Sequence, residues 1–529
     1  MRKEKTGTVH TKKKLAPERR AARENGVFRM IAVIIAISFE IFLITNLFTR
    51  LNAHAEWINV MTRVLAVILV ILIYNENRNA AFKTPWIILI MAVPIFGIIM
   101  YLLVGLNTHT YEMKKRYRDI DDRLMPMLER DDDLTQSIKD RDAGAGAICA
   151  YLENQAHFPP YKDSGVTYYG DTCDALEAMI SDLKTAEHFI FMEYFAIDDK
   201  EAWHRIEEIL VEKVKAGVEV RVFYDDLGSI GFINTAFSKK LNSLGIKCRV
   251  FNPFFPGLNR FLNNRDHRKV TVVDGRVAYT GGYNLADEYF NIERPYRAWK
   301  DSGIRITGPA VDSMTIIFLE NWNATKKHFE KDKVYDRFLV AEKDESAHGF
   351  VLPYADSPMD ELQVGEDVYI SMLDKADDYV YIMTPYLIIT DELKTAIKLA
   401  AMRGVDVRII TPGVPDKKMV YSITRSFYHD LCISGVRIYE WRPGFMHGKL
   451  MVSDDSLAVC GTINLDYRSL YHHFENAVFF GYCDAVIDAK HDFERTMEEC
   501  EEVTVDYKVG RKGLLKLPQM FLRLFAELL

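Results

Sequence analysis

No C-x-x-C pair occurs in the chain, and its seven cysteines are an odd number. Cys149, Cys173, Cys248, Cys432, Cys460, Cys483 and Cys500 therefore suggest neither a disulfide framework nor a zinc site, and read mostly as buried thiols. An excess of positive charge is also missing. The formal net charge of −8 argues against general nucleic-acid binding. The positive charge is concentrated at one end, where residues 1–29 hold ten Lys and Arg against three Glu. Apolar residues are not scarce: they make up 49% of 529 positions, enough for a sizeable core. The length allows two to four domains of roughly 150 residues each.

Three apolar runs follow the basic tail. Residues 30–49 contain one charge, Glu40; residues 57–74 contain Arg63; residues 85–106 contain none over 22 positions. A span needs about 20 apolar residues. The runs predict transmembrane helices within residues 30–106, at about 30–49, 57–74 and 85–106, with the third the best candidate. They imply a multi-pass protein of the cell membrane. The second run also reads as an interfacial or buried helix. Ala53-His54-Ala55 resembles a signal-peptide cleavage site, but the basic region is too long and the first run exceeds a usual signal core. The basic tail and "MKKRYR" (Met113–Arg118) both favour the inner side of the membrane, which requires an even number of spans. Arg78 and Lys83, between the second and third runs, make a competing claim on that side.

Residues 107–160 are rich in charge and read as a helical linker. Beyond it, "HFIFMEYFAI" (His188–Ile197) and "VEVRVFYDD" (Val218–Asp226) read as buried strands. "YVYIMTPYLI" (Tyr379–Ile388) and "VDVRIITPG" (Val405–Gly413) repeat the style, with an amphipathic helix pattern between them. This alternation predicts an α/β fold with a largely parallel sheet.

The repeat is sharpest between His267–Leu285, "HRKVTVVDGRVAYTGGYNL", and His447–Leu465, "HGKLMVSDDSLAVCGTINL". Eight of nineteen positions are identical without a gap, including the His, the Lys, the Asp, Gly281/Gly461 and Asn284/Asn464. Strand patterning alone does not match polar residues at fixed offsets. The chain therefore reads as two similar lobes, 161–345 and 346–529, each supplying half of one site.

In an extended strand, side chains two apart share a face. His267 and Lys269 then point together, as do His447 and Lys449. Two histidines and two lysines suit phosphodiester chemistry. The lysines neutralise the phosphoryl oxygens, one imidazole attacks phosphorus, and the other transfers protons. A nucleophilic imidazole needs an acidic partner on its other nitrogen. Glu475 is the candidate partner of His447, and Asp301 that of His267. This chemistry requires no metal and no other cofactor.

The duplicated H-x-K-x4-D resembles the phospholipase D superfamily, and the chain is similar to its bacterial cardiolipin synthases. The resemblance runs from about residue 58 to the C-terminus. It rests on Asn75–Gly105, "MEYFAIDD", "YDDLGS", "FNPF", "NNRDHRK", "TGGYNLADEY", "TPGVPDKK" and "GTINLDYRSLYHHFEN". Ala80 stands where the usual loop motif has proline. The resemblance implies two pseudo-symmetric lobes and a membrane enzyme with phosphatidylglycerol as both donor and acceptor. One lipid gives its phosphatidyl group to the enzyme and releases glycerol; the second takes the group and becomes cardiolipin. His267, Lys269, Asp274, His447, Lys449 and Asp454 fill the two motifs, with His267 as nucleophile and His447 as acid and base. The aspartates are supporting rather than direct actors, and Asn284 and Asn464 add donors to the phosphate. A hydrolase or another phosphatidyltransferase is the alternative within this chemistry. The C-terminal "LLKLPQMFLRLFAELL" (Leu514–Leu529) is amphipathic and reads as an interfacial or a core-packing helix.

Overall fold

The computed structural model describes residues 56–105, 111–253, 263–325, 332–509, 517–524 and 526, with isolated helical positions between 31 and 46. The basic tail 1–29 and most of the first apolar run lie outside the described residues.

The remaining apolar sequence folds as three helices, α1 (Glu56–Tyr74), α2 (Ala80–Ala92) and α3 (Pro94–Met100). Asn79 caps α2, its side chain accepting from Ala81 N at 2.9 Å. The run 85–106 is therefore not the single span its composition predicts. Pro94 cannot continue a helix, and Val93 before it is driven out of helical geometry to φ −137°, ψ 77°. The two pieces fold onto each other. A Cβ on Gly97 would stand 2.5 Å from Ile90 Cα, so glycine is what permits the crossing. Thirteen and seven residues reach only about 20 Å and 10 Å, against a hydrocarbon core of about 30 Å. Among the described residues, no helix is long and apolar enough to cross a membrane. Ala66, Ile73, Ile90, Ile98 and Tyr101 form a small core between these helices, while Val64, Ile68, Ile71, Leu72, Ile88, Met91 and Leu102 are exposed.

The charged segment that follows is helical at Tyr111–Leu124, Asp132–Arg141 and Ala143–Asn154. These helices pack on the lobes. Tyr117 Oη donates to Asn321 Oδ1 at 2.8 Å, and Tyr151 Oη to Asp367 Oδ2 at 2.5 Å.

The first lobe holds β1 (Val166–Tyr169), β2 (Phe189–Tyr194), β3 (Glu219–Asp225), β4 (Lys247–Phe251), β5 (Lys269–Val273), β6 (Val277–Gly281) and β7 (Gly303–Thr307) in the order β1-β7-β6-β5-β2-β3-β4. The second holds β8 (Phe350–Asp356), β9 (Tyr379–Met383), β10 (Asp406–Pro412), β11 (Arg437–Trp441), β12 (Leu450–Ser453), β13 (Leu457–Gly461), β14 (His473–Gly481) and β15 (Cys500–Glu502). Their order, β8-β14-β13-β12-β9-β10-β11, is the same, with β15 added at the edge. The duplication thus extends beyond the motif to the whole topology.

The sheets are mixed rather than largely parallel. β2, β3 and β4 run parallel, as do β9, β10 and β11, but the remaining neighbours in that shared order are antiparallel. The motif strand causes this. After β5 and β12 the chain reverses through a short turn at Asp274-Gly275 and Asp454-Asp455, all four with positive φ. A hairpin of that length can join only antiparallel strands. Central strands such as β2 and β9 are buried along their length, which is why they read as continuous apolar runs. The helix Ala310–Ala324 is buried at every position but Asp312 and packs on strands of both sheets, joining the lobes into one core. The C-terminal helix Leu517–Arg523 packs on the helix Lys418–Ile433, with Arg523 over the Phe427 ring at 4.3 Å. The rest of Leu514–Leu529, apart from Leu524 and Ala526, lies outside the described residues.

Candidate active site

The two motifs meet because each lobe is sutured to the other just before its histidine. Arg265–Asp266 pairs in parallel with His473–Phe474, and His267 N donates to Phe474 O at 2.9 Å. Gly444–Met446 pairs in parallel with Ala298–Lys300, and His447 N donates to Lys300 O at 2.6 Å. One residue further, the register sets His267 opposite Glu475 and His447 opposite Asp301.

The carboxylates are therefore exchanged relative to the sequence expectation. Asp301 does not serve His267, nor Glu475 His447. His267 Nδ1 donates to Glu475 Oε2 at 2.9 Å, and His447 Nδ1 donates to Asp301 Oδ2 at 2.6 Å. Each acid lies at the start of a strand or just ahead of one in its own lobe, and its side chain reaches the imidazole that the opposite lobe lays beside it. With Nδ1 occupied, each ring keeps Nε2 for chemistry, that of His447 facing Lys449 Nζ at 3.0 Å.

Lys269 Nζ donates to His267 O at 2.6 Å, and Lys449 Nζ donates to His447 O at 2.5 Å and lies 2.8 Å from His447 Nδ1. All four side chains are buried. Burial lowers the Lys269 ammonium to about 7, against the pull of Glu475, and the Lys449 ammonium to about 8, against that of Asp301. Burial and then Lys449 lower His447 to about 4; burial and the two lysines push His267 well below its ordinary value. Burial works to raise the Asp301 carboxyl, but His447 and Lys449 outweigh it and hold it below the usual range. The pocket is thus poised for an anion, with both imidazoles neutral at pH 7.

The surroundings differ between the halves. His447 sits among Trp299, Tyr289 and Phe445, with ring centroids 5.1, 5.5 and 5.7 Å away. His267 meets Phe195 at 5.0 Å and His473 at 5.5 Å. Thr462 donates its hydroxyl to Glu475. At the corresponding Gly282, a Cβ would stand 1.9 Å from Asp301 Oδ1, so the first lobe needs glycine to admit its carboxylate.

The other expected residues divide. Asp274 and Asp454 are not part of the cluster. Both adopt φ 53° at the far end of the motif strand, roughly 15 Å along the chain from the lysine. Asp274 accepts from the backbone of Glu187, His188 and Phe189 at 2.7–2.8 Å, fixing the start of β2. Asp454 does the same for Asp377, Asp378 and Tyr379 at 2.9–3.1 Å. Asn284 accepts from Ala196 N and donates to Tyr289 Oη at 2.8 Å, so it orients the ring packed against His447. Asn464 is buried, and its Oδ1 has no partner. Sequence reasoning missed His473, Thr462, Trp299 and Tyr289. His473 was legible in principle: it stands two residues before Glu475 and so shares its strand face.

Among the described residues, one group has the spacing to hold a metal ion: His267, His473 and Glu475.

The cardiolipin synthase PLD-like domain family matches residues 179–315 and 369–497, half of the chain, one segment in each lobe. The chain belongs to this family, the cardiolipin synthases of the phospholipase D superfamily. The phospholipase D–nuclease N-terminal family matches residues 64–105. Among the relatives is an uncharacterised protein of Streptococcus mutans, 40% identical, covering 87% of this chain and 99% of its own. Cardiolipin synthase 2 of Bacillus anthracis is 31% identical, covering 86% of this chain and 88% of its own. Among solved structures, the phosphatidylserine synthase of Haemophilus influenzae shares the fold, with a TM-score of 0.53 at 14% identity over 70% of this chain and 94% of that one.

Proposed function

We propose that this cardiolipin synthase family member transfers a phosphatidyl group from one phosphatidylglycerol to the headgroup hydroxyl of another, giving cardiolipin and glycerol. The observation that carries the reading is the exchanged pair of His–carboxylate contacts, which holds two neutral imidazoles and two buried lysines in one pocket.

The donor's phosphodiester anion binds between Lys269 and Lys449, whose charge stabilises the transition state. His267 Nε2 attacks phosphorus, and the P–O bond to glycerol breaks. His447, neutral in the free pocket, takes up a proton from solvent on Nε2 as the bound anion raises its basicity, and gives that proton to the leaving alkoxide. The acceptor hydroxyl then loses its proton to His447, attacks phosphorus, and breaks the P–N bond. Glu475 and Asp301 hold the rings in the required tautomer. The aromatic wall of Phe195, Tyr289, Trp299 and Phe445 disfavours water as the acceptor.

The exposed apolar face of α1 and α2 seats the enzyme in the bacterial cell membrane, where both substrates have their tails. Phe82 of α2 packs on Tyr467, Tyr471 and His472 with centroids 5.0–5.7 Å apart. This contact ties the apolar segment to the short helix Tyr467–Tyr471 between Asn464 and His473.

The test is incubation of purified full-length protein in detergent–lipid micelles with phosphatidylglycerol alone and a chelator, beside His267→Ala and His447→Ala. Cardiolipin and glycerol from the wild type, lost in both variants, are expected. Phosphatidic acid in place of cardiolipin would make the protein a hydrolase.

A further inference from the structure

His473 is a buried imidazole that the mechanism above does not use. Neither of its ring nitrogens has a hydrogen-bond partner. Its Nδ1 stands 3.6 Å from Glu475 Oε1, beyond hydrogen-bond reach, and that oxygen, though 2.9 Å from His267 Nδ1, is buried and accepts no hydrogen bond. Native interiors rarely leave two such groups facing each other unsatisfied. The ligand atoms of His267, His473 and Glu475 all lie within 4.8 Å of one another. Two imidazoles and one carboxylate with a fourth position open form a zinc-type donor set. The first lobe has no counterpart. The two inter-lobe registers place Trp299 where the second lobe has His473, and Trp299 Nε1 donates to Asp301 at 3.3 Å.

We propose that His267 Nδ1, His473 and Glu475 bind one divalent cation of the zinc type, and that its occupation switches the enzyme off. The switch, though not the site, rests on His267 being the nucleophile. In the metal-free pocket Nδ1 carries the proton, which it donates to Glu475, and Nε2 carries the lone pair. Coordination takes the lone pair of Nδ1. The proton must then reside on Nε2, which loses the electron pair that attacks phosphorus. Metal–ligand bonds of about 2.0 Å place tetrahedral ligands about 3.3 Å apart, so the three side chains draw inward on binding. The Lys269 ammonium opposes a cation here and keeps the affinity below that of a structural zinc site.

The probe is Zn²⁺ alone, titrated into the full-length protein in micelles against a chromophoric chelator. One equivalent is expected to bind, and His473→Asn should weaken that binding at least tenfold. Zn²⁺ should inhibit cardiolipin formation over the same concentration range, and the inhibition, relative to each variant's own metal-free rate, should vanish in His473→Asn. Absence of binding, or binding indifferent to His473, overturns the site. Binding without inhibition overturns the switch. The binding result stands whether or not the product is cardiolipin, so the two readings fail separately. Should His473→Asn not fold, Co²⁺ on the wild type decides: intense tetrahedral d–d absorption supports the site, and weak octahedral absorption overturns it.

Discussion

His267 donates to Glu475 across the lobe boundary at 2.9 Å, and the strand register that puts them together is only two residues long. Glu475→Gln keeps the shape but removes the charge that fixes the tautomer and stabilises the imidazole as bonding changes. We expect kcat to fall by about 10²–10⁴ with little change in KM, and Asp301→Asn to behave alike. Steady-state kinetics on both variants checks this. A tenfold or smaller loss in either would mean that the pair does not orient the ring.

The lysines steepen the alkaline limb. Their ammonium forms, lowered to about 7 and about 8, are lost as pH rises through that range. The diester anion favours the charged form, so its arrival raises both values. In a pH–rate series log(kcat/KM), which reports the free enzyme, should therefore fall by about one unit per pH unit above about pH 4, where free His447 loses the proton it must donate, and more steeply above about pH 8 as the lysines lose theirs. The limb of kcat should lie at higher pH. A limb that does not steepen up to about pH 10 would show that neither lysine needs its charge.

The motif aspartates hold the fold. Asp274→Ala strands three backbone N–H groups at the start of β2 and should cost about 2–4 kcal/mol. Asp454→Ala should cost about 1–2 kcal/mol, because Asp454 is itself partly exposed where Asp274 is buried, so water can replace its carboxylate. Chemical denaturation of the two variants gives the difference. Activity per folded molecule should change severalfold at most.

Phe82→Ala removes the ring wedged against Tyr467, Tyr471 and His472. Loss of this contact frees α2 from the short helix Tyr467–Tyr471 that leads to His473. kcat/KM for micellar phosphatidylglycerol should drop about tenfold, while the melting of the two lobes moves little. An unchanged kcat/KM would separate the apolar segment from substrate delivery.

Much of this was legible in the residues. The repeated His, Lys, Asp and Asn at fixed offsets implied two lobes, and the shared strand order agrees. Glu475 and Asp301 were recognisable as the acids, but not their partners. Which imidazole each one meets depends on two short parallel pairings between lobes, Arg265–Asp266 with His473–Phe474 and Gly444–Met446 with Ala298–Lys300, and strands of two or three residues carry no periodic signal. The run 85–106 scored as a span on apolarity alone, although Pro94 already marked the break. The antiparallel return of the motif strand lay in Asp274-Gly275 and Asp454-Asp455, where a turn signal sits inside an apolar pattern.

The central claim is that both lobes serve one phosphoryl-transfer site with His267 as nucleophile. The most direct measurement is intact-protein and peptide mass spectrometry of His447→Asn after mixing with phosphatidylglycerol and quenching at neutral to alkaline pH, which preserves a P–N bond. Without the acid and base, the covalent intermediate should accumulate as one phosphatidyl adduct, mapped to His267 and absent from His267→Asn. An adduct on another residue, or cardiolipin formed by His267→Asn, would contradict it.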